Sequence, residues 1–253
     1  MRLTIIGCSG SYPGPDSPAS CYLVEAEHDS TTFRLLVDLG NGALGNLQNV
    51  IGLDEVDAIV LSHLHADHCL DMCGYYVVRK YHPNGEMRQI PVYGPSTTAE
   101  HLARAYDLDP DPGMSDQFDF RVWEAGTSVG LGPFAVDVIE VDHPVEAYAL
   151  KIVADGRTLV YSGDTGPFDG LTEFTRAADV FLAEASFLEG HDNPPNLHLT
   201  GADAGRIAHH VGLERLLLTH VPPWHDAQQV LADARQEFDG SVELVSTGAV
   251  YHV

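Results

Sequence analysis

The chain has 253 residues, 44% of them hydrophobic, and its 13 Lys and Arg against 37 Asp and Glu give a net charge of −24. The apolar share suffices for a packed core and excludes an intrinsically disordered chain. The acidity opposes broad nucleic-acid binding, which needs clustered Lys and Arg, although bound cations can offset the charge of a small phosphate ester. We expect one domain over residues 1–253, and a long nucleic acid is not an expected partner.

Cysteine usage and the first residues indicate the compartment. The four cysteines form no C-x-x-C pair and predict no disulfide framework. The start, MRLTIIGCSG, enters a strand pattern without the apolar region of a signal peptide, and no apolar run approaches the length of a membrane span. These features predict a cytoplasmic protein without a membrane partner.

Apolar runs between polar turns predict the elements of the first half of the chain. The predicted strands are Leu3–Cys8, Cys21–Ala26, Phe33–Leu39, Val56–Leu61 and Ile90–Tyr93. The predicted helices are a short one ending near Asn49, then Asp71–Tyr81 with Asp71 as its N-cap, and Ser96–Tyr106 with Ser96 or Thr97 as its cap. The acidic stretch Asp107–Asp119 is interpreted as a solvated loop rather than a lid.

The second half of the chain has comparable strand and helix content after about residue 125. The predicted strands are Phe134–Val141, Ala147–Val153, Thr158–Tyr161, Val180–Ala185, Arg215–Leu218, Val242–Ser246 and Ala249–His252. The predicted helices are Thr200–Val211 and Asp226–Phe238. A sandwich of two β-sheets flanked by helices, of α/β class, accounts for this order, and no sequence repeat or linker divides the chain.

The segment LSHLHADHCLD, residues 61–71, carries the strongest chemical signal. His63, His65, Asp67 and His68 fall within six positions, directly after an apolar strand and before a predicted helix. Imidazole nitrogens with carboxylate oxygens suit zinc, manganese or iron(II). A solvated polar loop is the alternative interpretation, but four ligand-type side chains at this spacing favour a metal site.

Two metal ions need further ligands, and three candidates follow apolar strands downstream: His143, Asp164 and His220. We assign one ion to His63, His65, His143 and Asp164. We assign the other to Asp67, His68, Asp164 and His220. Asp164 lies in both sets because a carboxylate can bridge two cations. The expected cofactors are therefore two divalent metal ions, zinc first, with manganese or iron as alternatives.

Two metal ions would lower the pKa of a bridging water and so supply a hydroxide nucleophile at neutral pH. The leaving oxygen then needs an acid, and His198 in the segment NLHLT is the candidate. Glu184 is its candidate partner, because an opposite charge orients an imidazole and raises its pKa. The alternative is that His198 only caps the helix that follows.

The segment HLHADH, residues 63–68, resembles the H-x-H-x-D-H signature of the metallo-β-lactamase superfamily. Further segments resemble the tRNase Z branch, the transfer-RNA 3′-processing nucleases: GCSGS at 7–11, YSGDT at 161–165, EASF at 184–187, HLT at 198–200 and LTH at 218–220. The resemblance implies an αββα sandwich, two mixed sheets flanked by helices. It also implies that His198 donates a proton, that Asp67 helps to position the nucleophilic water, and that the chain forms a homodimer.

One departure from tRNase Z concerns its long tRNA-gripping arm, which lies between the third histidine and the bridging aspartate. Here only 21 positions separate His143 from Asp164, and two predicted strands occupy them. The chain is more similar to a compact actinobacterial group with GCSGSxxGPDSPAS near the start and LSHLHADHCLD at the centre. That group is linked to hydrolysis of cyclic nucleotides, chiefly cyclic AMP.

The resemblance therefore implies a metal-dependent phosphodiesterase acting on a small cyclic nucleotide such as 3′,5′-cyclic AMP. It would be an atypical one, since the H-x-S-H-L-D-H pattern of class II cyclic phosphodiesterases is absent. The main alternative is a tRNase Z-like ribonuclease that acts without the arm. A metal-binding sensor and a thiolester hydrolase of the glyoxalase II type are weaker alternatives.

Overall fold

The computed structural model describes residues 1–253 and contains fourteen strands and seven α-helices. The strands are β1 Arg2–Gly7, β2 Cys21–His28, β3 Thr31–Val37, β4 Ala58–Val60, β5 Ile90–Gly94, β6 Phe118–Val122, β7 Ser128–Leu131, β8 Phe134–Glu140, β9 Tyr148–Ala154, β10 Arg157–Tyr161, β11 Val180–Glu184, β12 Arg215–Thr219, β13 Ser241–Leu244 and β14 Val250–His252. The helices are α1 Ala43–Leu47, α2 Ala66–Cys69, α3 Met72–Tyr81, α4 Thr98–Ala105, α5 Asp169–Thr175, α6 Gly201–Val211 and α7 Ala227–Glu237. None of these helices has the length and apolarity that crossing a membrane requires.

The strands form two mixed sheets of seven, which confirms the predicted sandwich. Their orders are β14-β1-β2-β3-β4-β5-β6 and β13-β12-β11-β10-β9-β8-β7. In the first sheet β14 to β3 pair antiparallel and β3 to β6 pair in parallel. In the second sheet β7 to β10 pair antiparallel and β10 to β13 pair in parallel. The same topology thus occurs twice, although the sequence shows no repeat.

Three apolar clusters form the core and define four layers. One lies between the sheets and includes Val60, Leu150 and Leu182. The second packs the first sheet against α1, α3 and α4, and the third packs the second sheet against α5, α6 and α7. The parallel strands β4, β11 and β12 are buried along their whole length apart from Arg215, because both of their faces are covered.

Four elements differ from the prediction. β6 begins inside the stretch Asp107–Asp119, which was predicted to be a solvated loop, and Met114 within that stretch is fully buried in the cluster beneath the first sheet. α2, α5 and β7 were not predicted. The residues of β7, SVGL, do alternate, but the strand has only four residues and buries one of them, so its signal is short.

The helix caps agree with the sequence in part. The Thr200 hydroxyl accepts a hydrogen bond from the Asp203 amide at 3.0 Å, and the Asp203 carboxylate accepts one from the Thr200 amide, a reciprocal capping box. Asp71 precedes α3 but does not cap it. Because α2 leads into α3, the Asp71 backbone is already helical, and its carboxylate accepts from the Leu44 amide of α1 instead.

Candidate metal centre

The predicted ligands lie on loops that leave strand ends at one edge of the sandwich. His63 follows β4 in the first sheet, whereas His143, Asp164 and His220 follow β8, β10 and β12 in the second. The carboxyl ends of neighbouring parallel strands meet at one edge, so their loops converge there. Both sheets therefore contribute side chains to one centre.

The structure brings all seven predicted ligands into two groups, within each of which the ligand atoms lie within 4.8 Å of one another. The first group contains His63, His65, His143 and Asp164. The second contains Asp67, His68, Asp164 and His220. Asp164 belongs to both groups, as expected of a bridging carboxylate.

In the first group, ring nitrogens face one another. His65 Nδ1 lies 3.0 Å from His63 Nε2 and 3.2 Å from His143 Nε2. Asp164 Oδ2 lies 3.7 Å from His63 Nε2. Three nitrogens and one oxygen thus surround a common point, and this donor set is one that zinc accepts.

The second group is as tight and more deeply buried. His68 Nε2 lies 3.1 Å from His220 Nε2, which lies 3.0 Å from Asp67 Oδ2. Asp164 Oδ1 lies 3.3 Å from His68 Nε2. That oxygen is buried without a hydrogen-bond partner, which is costly for a carboxylate unless a cation satisfies it. The two clusters are consistent with a dinuclear metal site.

Hydrogen bonds to groups outside the centre determine which ring nitrogen of His143 and of His220 faces the centre. His143 Nδ1 donates to the Leu197 carbonyl at 3.0 Å. His220 Nδ1 donates to the Ser186 hydroxyl at 2.7 Å, and that hydroxyl donates to the His220 carbonyl. Since Nδ1 of each ring is used in this way, Nε2 is left free to bind a metal.

Asp38, which the sequence analysis did not select, anchors the centre from behind. This fully buried carboxylate accepts hydrogen bonds from His68 Nδ1 at 2.8 Å and from the Tyr161 hydroxyl at 2.9 Å. It also accepts from the Ser62 amide at 2.7 Å and the Ser62 hydroxyl at 2.8 Å. The one signal for it in the sequence is its position directly after β3. Its proximity to His68 becomes visible only when β3 is paired with β4, the strand that leads to the metal loop.

Two backbone features hold His220 in place. Its φ is +58°, a left-handed conformation that histidine adopts more often than most residues. A Cβ on Gly10 would lie 2.1 Å from the His220 carbonyl oxygen, so only glycine permits this approach. The loop of residues 9–20 is therefore packed directly against a predicted ligand.

The protonation states that the electrostatics favour differ among the predicted ligands. Burial lowers the pKa of His63 well below its usual range, which keeps the ring neutral. Burial alone would raise the pKa of Asp164, but the charges of His220 and His68 outweigh it and hold that pKa well below its usual range. Burial alone would lower the pKa of His68, but the charges of Asp164 and Asp38 outweigh it and raise that pKa well above its usual range. Since a neutral imidazole is the form that binds a cation, His68 has to release a proton when a metal binds.

His198 and Glu184 lie together beside the centre. His198 Nδ1 donates to Glu184 Oε1 at 2.9 Å, and it lies 3.9 Å from Asp164 Oδ2. The Thr165 and Ser186 amides also donate to Glu184, at 3.0 Å each, so the carboxylate cannot rotate freely. Burial lowers the pKa of His198, but the Glu184 charge outweighs burial and raises that pKa to about 9.

The interpretation of His198 as a helix cap is wrong. Thr200 occupies the N-cap of α6 and its hydroxyl accepts from the third residue of the helix, as described above. The His198 ring instead packs edge-on against Phe187, with ring centroids 5.0 Å apart. His198 is therefore available to the centre, and its role as an acid stays a prediction.

Comparison with known proteins identifies relatives along the whole chain. The family profile of the Beta-lactamase superfamily domain matches residues 33–221. The uncharacterized protein ML1173 of Mycobacterium leprae is 47% identical, and the alignment covers 100% of this chain and 89% of that one. The probable metallo-hydrolase YhfI of Bacillus subtilis is 30% identical, with 99% of each chain covered. The Ribonuclease Z of Myxococcus xanthus is 27% identical, with 98% and 96% covered.

Solved structures show the same fold. The crystal structure of YhfI, a metallo-β-lactamase fold protein, has a TM-score of 0.87 at 28% identity and covers 99% of this chain, which covers 98% of it. The short form of human tRNase Z has a TM-score of 0.78 at 20% identity, with 100% and 99% covered. Zn²⁺-bound PqqB from Methylobacterium extorquens has a TM-score of 0.76 at 14% identity, with 100% of both chains covered. At these identities the last two show the fold alone.

Proposed function

The chain belongs to the metallo-β-lactamase superfamily, and on this premise we propose that it is a metal-dependent hydrolase that cleaves a small phosphodiester, a cyclic nucleotide such as 3′,5′-cyclic AMP. The mycobacterial, YhfI and Ribonuclease Z relatives align along nearly the whole chain, which supports a shared fold. The observation that carries the choice of a phosphodiester is the Glu184–His198 pair beside the bridging carboxylate.

The two ligand groups would hold two divalent cations, and we propose zinc, the ion that PqqB of the same fold contains. When bound, such ions activate a water as nucleophile and neutralise charge that develops on phosphoryl oxygens. Asp67 extends to both His220 and His68, and its pKa is held below its usual range, because the two imidazoles outweigh burial. Its carboxylate therefore stays ionised and can accept a hydrogen bond from water and orient it.

His198 would supply the proton that the leaving oxygen needs. Because Nδ1 is used in the bond to Glu184, the proton available for transfer is the one on Nε2. Glu184, fixed by two backbone amides, orients the ring and stabilises its charged form. Acid at one side of the phosphorus and a positioned water at the other are what hydrolysis of a phosphodiester requires.

The absence of an additional arm between His143 and Asp164 supports a small substrate. The 20 residues between His143 and Asp164 contain β9 and β10, an antiparallel hairpin that turns at Asp155 and Gly156. The hairpin has no room for an additional arm. The alignment with the Myxococcus Ribonuclease Z spans 302 positions, more than the 253 residues here, so that relative contains inserted residues. A net charge of −24 also opposes the binding of a long phosphate backbone.

The second candidate function is a ribonuclease that acts on short RNA. The relatives named Ribonuclease Z from Myxococcus xanthus and Halorubrum lacusprofundi, at 27% and 26% identity, favour it. Both candidates use the same acid and the same ligands, so the site geometry alone does not separate them. Substrate size separates them.

A parallel assay tests the two functions. Purified protein, supplied with zinc or manganese, is incubated with 3′,5′-cyclic AMP and with a single-stranded RNA oligonucleotide, and products are separated by chromatography. We expect 5′-AMP or 3′-AMP from the first substrate and intact RNA from the second. Cleavage of RNA alone would replace the first candidate by the second. Turnover of neither by a metal-loaded protein would direct the search to other esters and thiolesters.

His198→Ala is expected to lower kcat on the cleaved phosphodiester by about 10²- to 10⁴-fold, the usual contribution of a positioned acid. The amount of bound metal should stay at the wild-type level, because His198 belongs to neither of the two ligand groups that contain Asp164. Metal is measured by inductively coupled plasma mass spectrometry and kcat by initial rates. His101→Ala, on the exposed face of α4, is the matched control. An unchanged kcat in His198→Ala would assign the proton to another donor.

A further inference from the structure

Two exposed aromatic side chains lie together on the protein surface. Trp224 is 61% exposed and Tyr12 is 39% exposed, and their ring centroids are 5.1 Å apart. The other tryptophan, Trp123, is 3% exposed and its indole donates to the Leu61 carbonyl. Trp224 is thus the tryptophan that lies outside the core. A pair of large aromatic side chains exposed to solvent indicates an interaction site.

The pair lies on the two loops that flank a predicted ligand. Trp224 comes four residues after His220, and Tyr12 comes two residues after Gly10, whose backbone touches the His220 carbonyl. The Gly10 amide donates to the Val221 carbonyl at 3.3 Å, which joins the two loops. The aromatic pair therefore lies on the same two packed loops that hold His220.

The His225 ring extends this aromatic pair, because its centroid lies 6.1 Å from that of Trp224.

We propose that Tyr12 and Trp224 form a stacking platform that binds the nucleobase of the substrate while its phosphate lies at the metal centre. The inference rests on the proposed function and deepens it, because it assigns the base-recognising part of the site. Stacking requires no positive charge, so it suits a chain of net charge −24 that cannot attract nucleotides electrostatically. Every base has an aromatic face, so the platform favours nucleotides over other phosphodiesters rather than one base over another.

The test compares two substrates that differ by the base: 3′,5′-cyclic AMP and the 3′,5′-cyclic phosphate of methyl ribofuranoside. For the metal-loaded Trp224→Ala protein we expect the ratio of kcat/KM, nucleotide over base-free compound, to fall about 5- to 150-fold. Trp224→Phe should retain most of the ratio, since a smaller ring still stacks. Tyr81→Ala, which removes an equally exposed aromatic ring from α3, should leave the ratio unchanged.

A binding experiment tests the platform without turnover. Tryptophan fluorescence is titrated with AMP and with ribose 5-phosphate. Quenching by AMP alone, lost in Trp224→Phe, supports the platform, whereas equal responses to both ligands or no response to AMP overturns it. A wild-type protein that hydrolyses neither cyclic phosphate would refute the proposed function, and the fluorescence result would still decide the platform. A normal rate with an unchanged ratio in Trp224→Ala would refute the platform alone.

Discussion

Asp164→Ala is expected to lower hydrolysis of the phosphodiester by more than about a hundredfold, the upper range for a residue that only supports a ligand. Asp164 is the one residue common to both ligand groups, and its Oδ1 is the buried oxygen without a protein partner. Removing it takes a donor from both cations at once. We therefore also expect the metal content to fall from two ions per chain to one or none.

Metal content after dialysis, measured by mass spectrometry beside initial rates, checks this expectation. Asp116→Ala, which changes an exposed carboxylate in the acidic stretch, is the control for a general loss of negative charge. If the Asp164→Ala protein still bound two metal ions after dialysis, Asp164 would not be a bridging ligand of the two ions. Full loss of metal with unchanged hydrolysis would remove the metal ions from the proposed mechanism.

Asp38→Ala is expected to cost at least about 3 kcal/mol of unfolding free energy and to weaken metal binding about 10- to 100-fold. The carboxylate accepts four hydrogen bonds, and alanine would leave buried donors on Ser62, His68 and Tyr161 without a partner. The His68 ring would also lose the bond that presents Nε2 to the centre. Stability and metal affinity should therefore fall together, although Asp38 touches no metal.

Urea denaturation in the presence of a chelator separates the two effects, because it measures the stability of the metal-free protein. Tyr161→Phe removes one of the four hydrogen bonds and serves as the graded variant, with an expected loss of about 1 kcal/mol. Metal affinity is then measured by competition with a chromogenic chelator. An Asp38→Ala protein with wild-type affinity for both ions would show that His68 is oriented by its packing rather than by the carboxylate.

The elements that the sequence predicts correctly are those whose apolar pattern lies within their own residues. Apolar runs such as Arg215–Thr219 belong to parallel strands with both faces covered, and their composition alone distinguishes them from loops. β6 and β7 lie at the outer ends of the two sheets and are only five and four residues long. Their sequences, FDFRV and SVGL, do alternate, so a strand signal was present. The prediction missed β6 because its first two residues belong to the stretch that was assigned to an acidic loop.

The residues of the candidate site also divide into those that the sequence alone identifies and those that need the structure. Ligands that follow strands, such as His143 and His220, can be found one at a time, because each stands at the end of its own apolar run. Asp38 could not be found in this way, since its partners lie 24, 30 and 123 positions away along the chain. The sequence shows that it ends a strand, but only the paired sheets show that it faces His68.

The distribution of the ligands over both sheets has a consequence for the lifetime of the protein. The first sheet contributes His63, His65, Asp67 and His68, and the second contributes His143, Asp164 and His220. Cations bound by these ligands would cross-link the two halves of the sandwich, and unfolding would release them. Each cation would then add about 2.7 kcal/mol to the free energy of unfolding when its free concentration is a hundred times its Kd. A cell short of metal would therefore lose the protein to proteolysis as well as its activity.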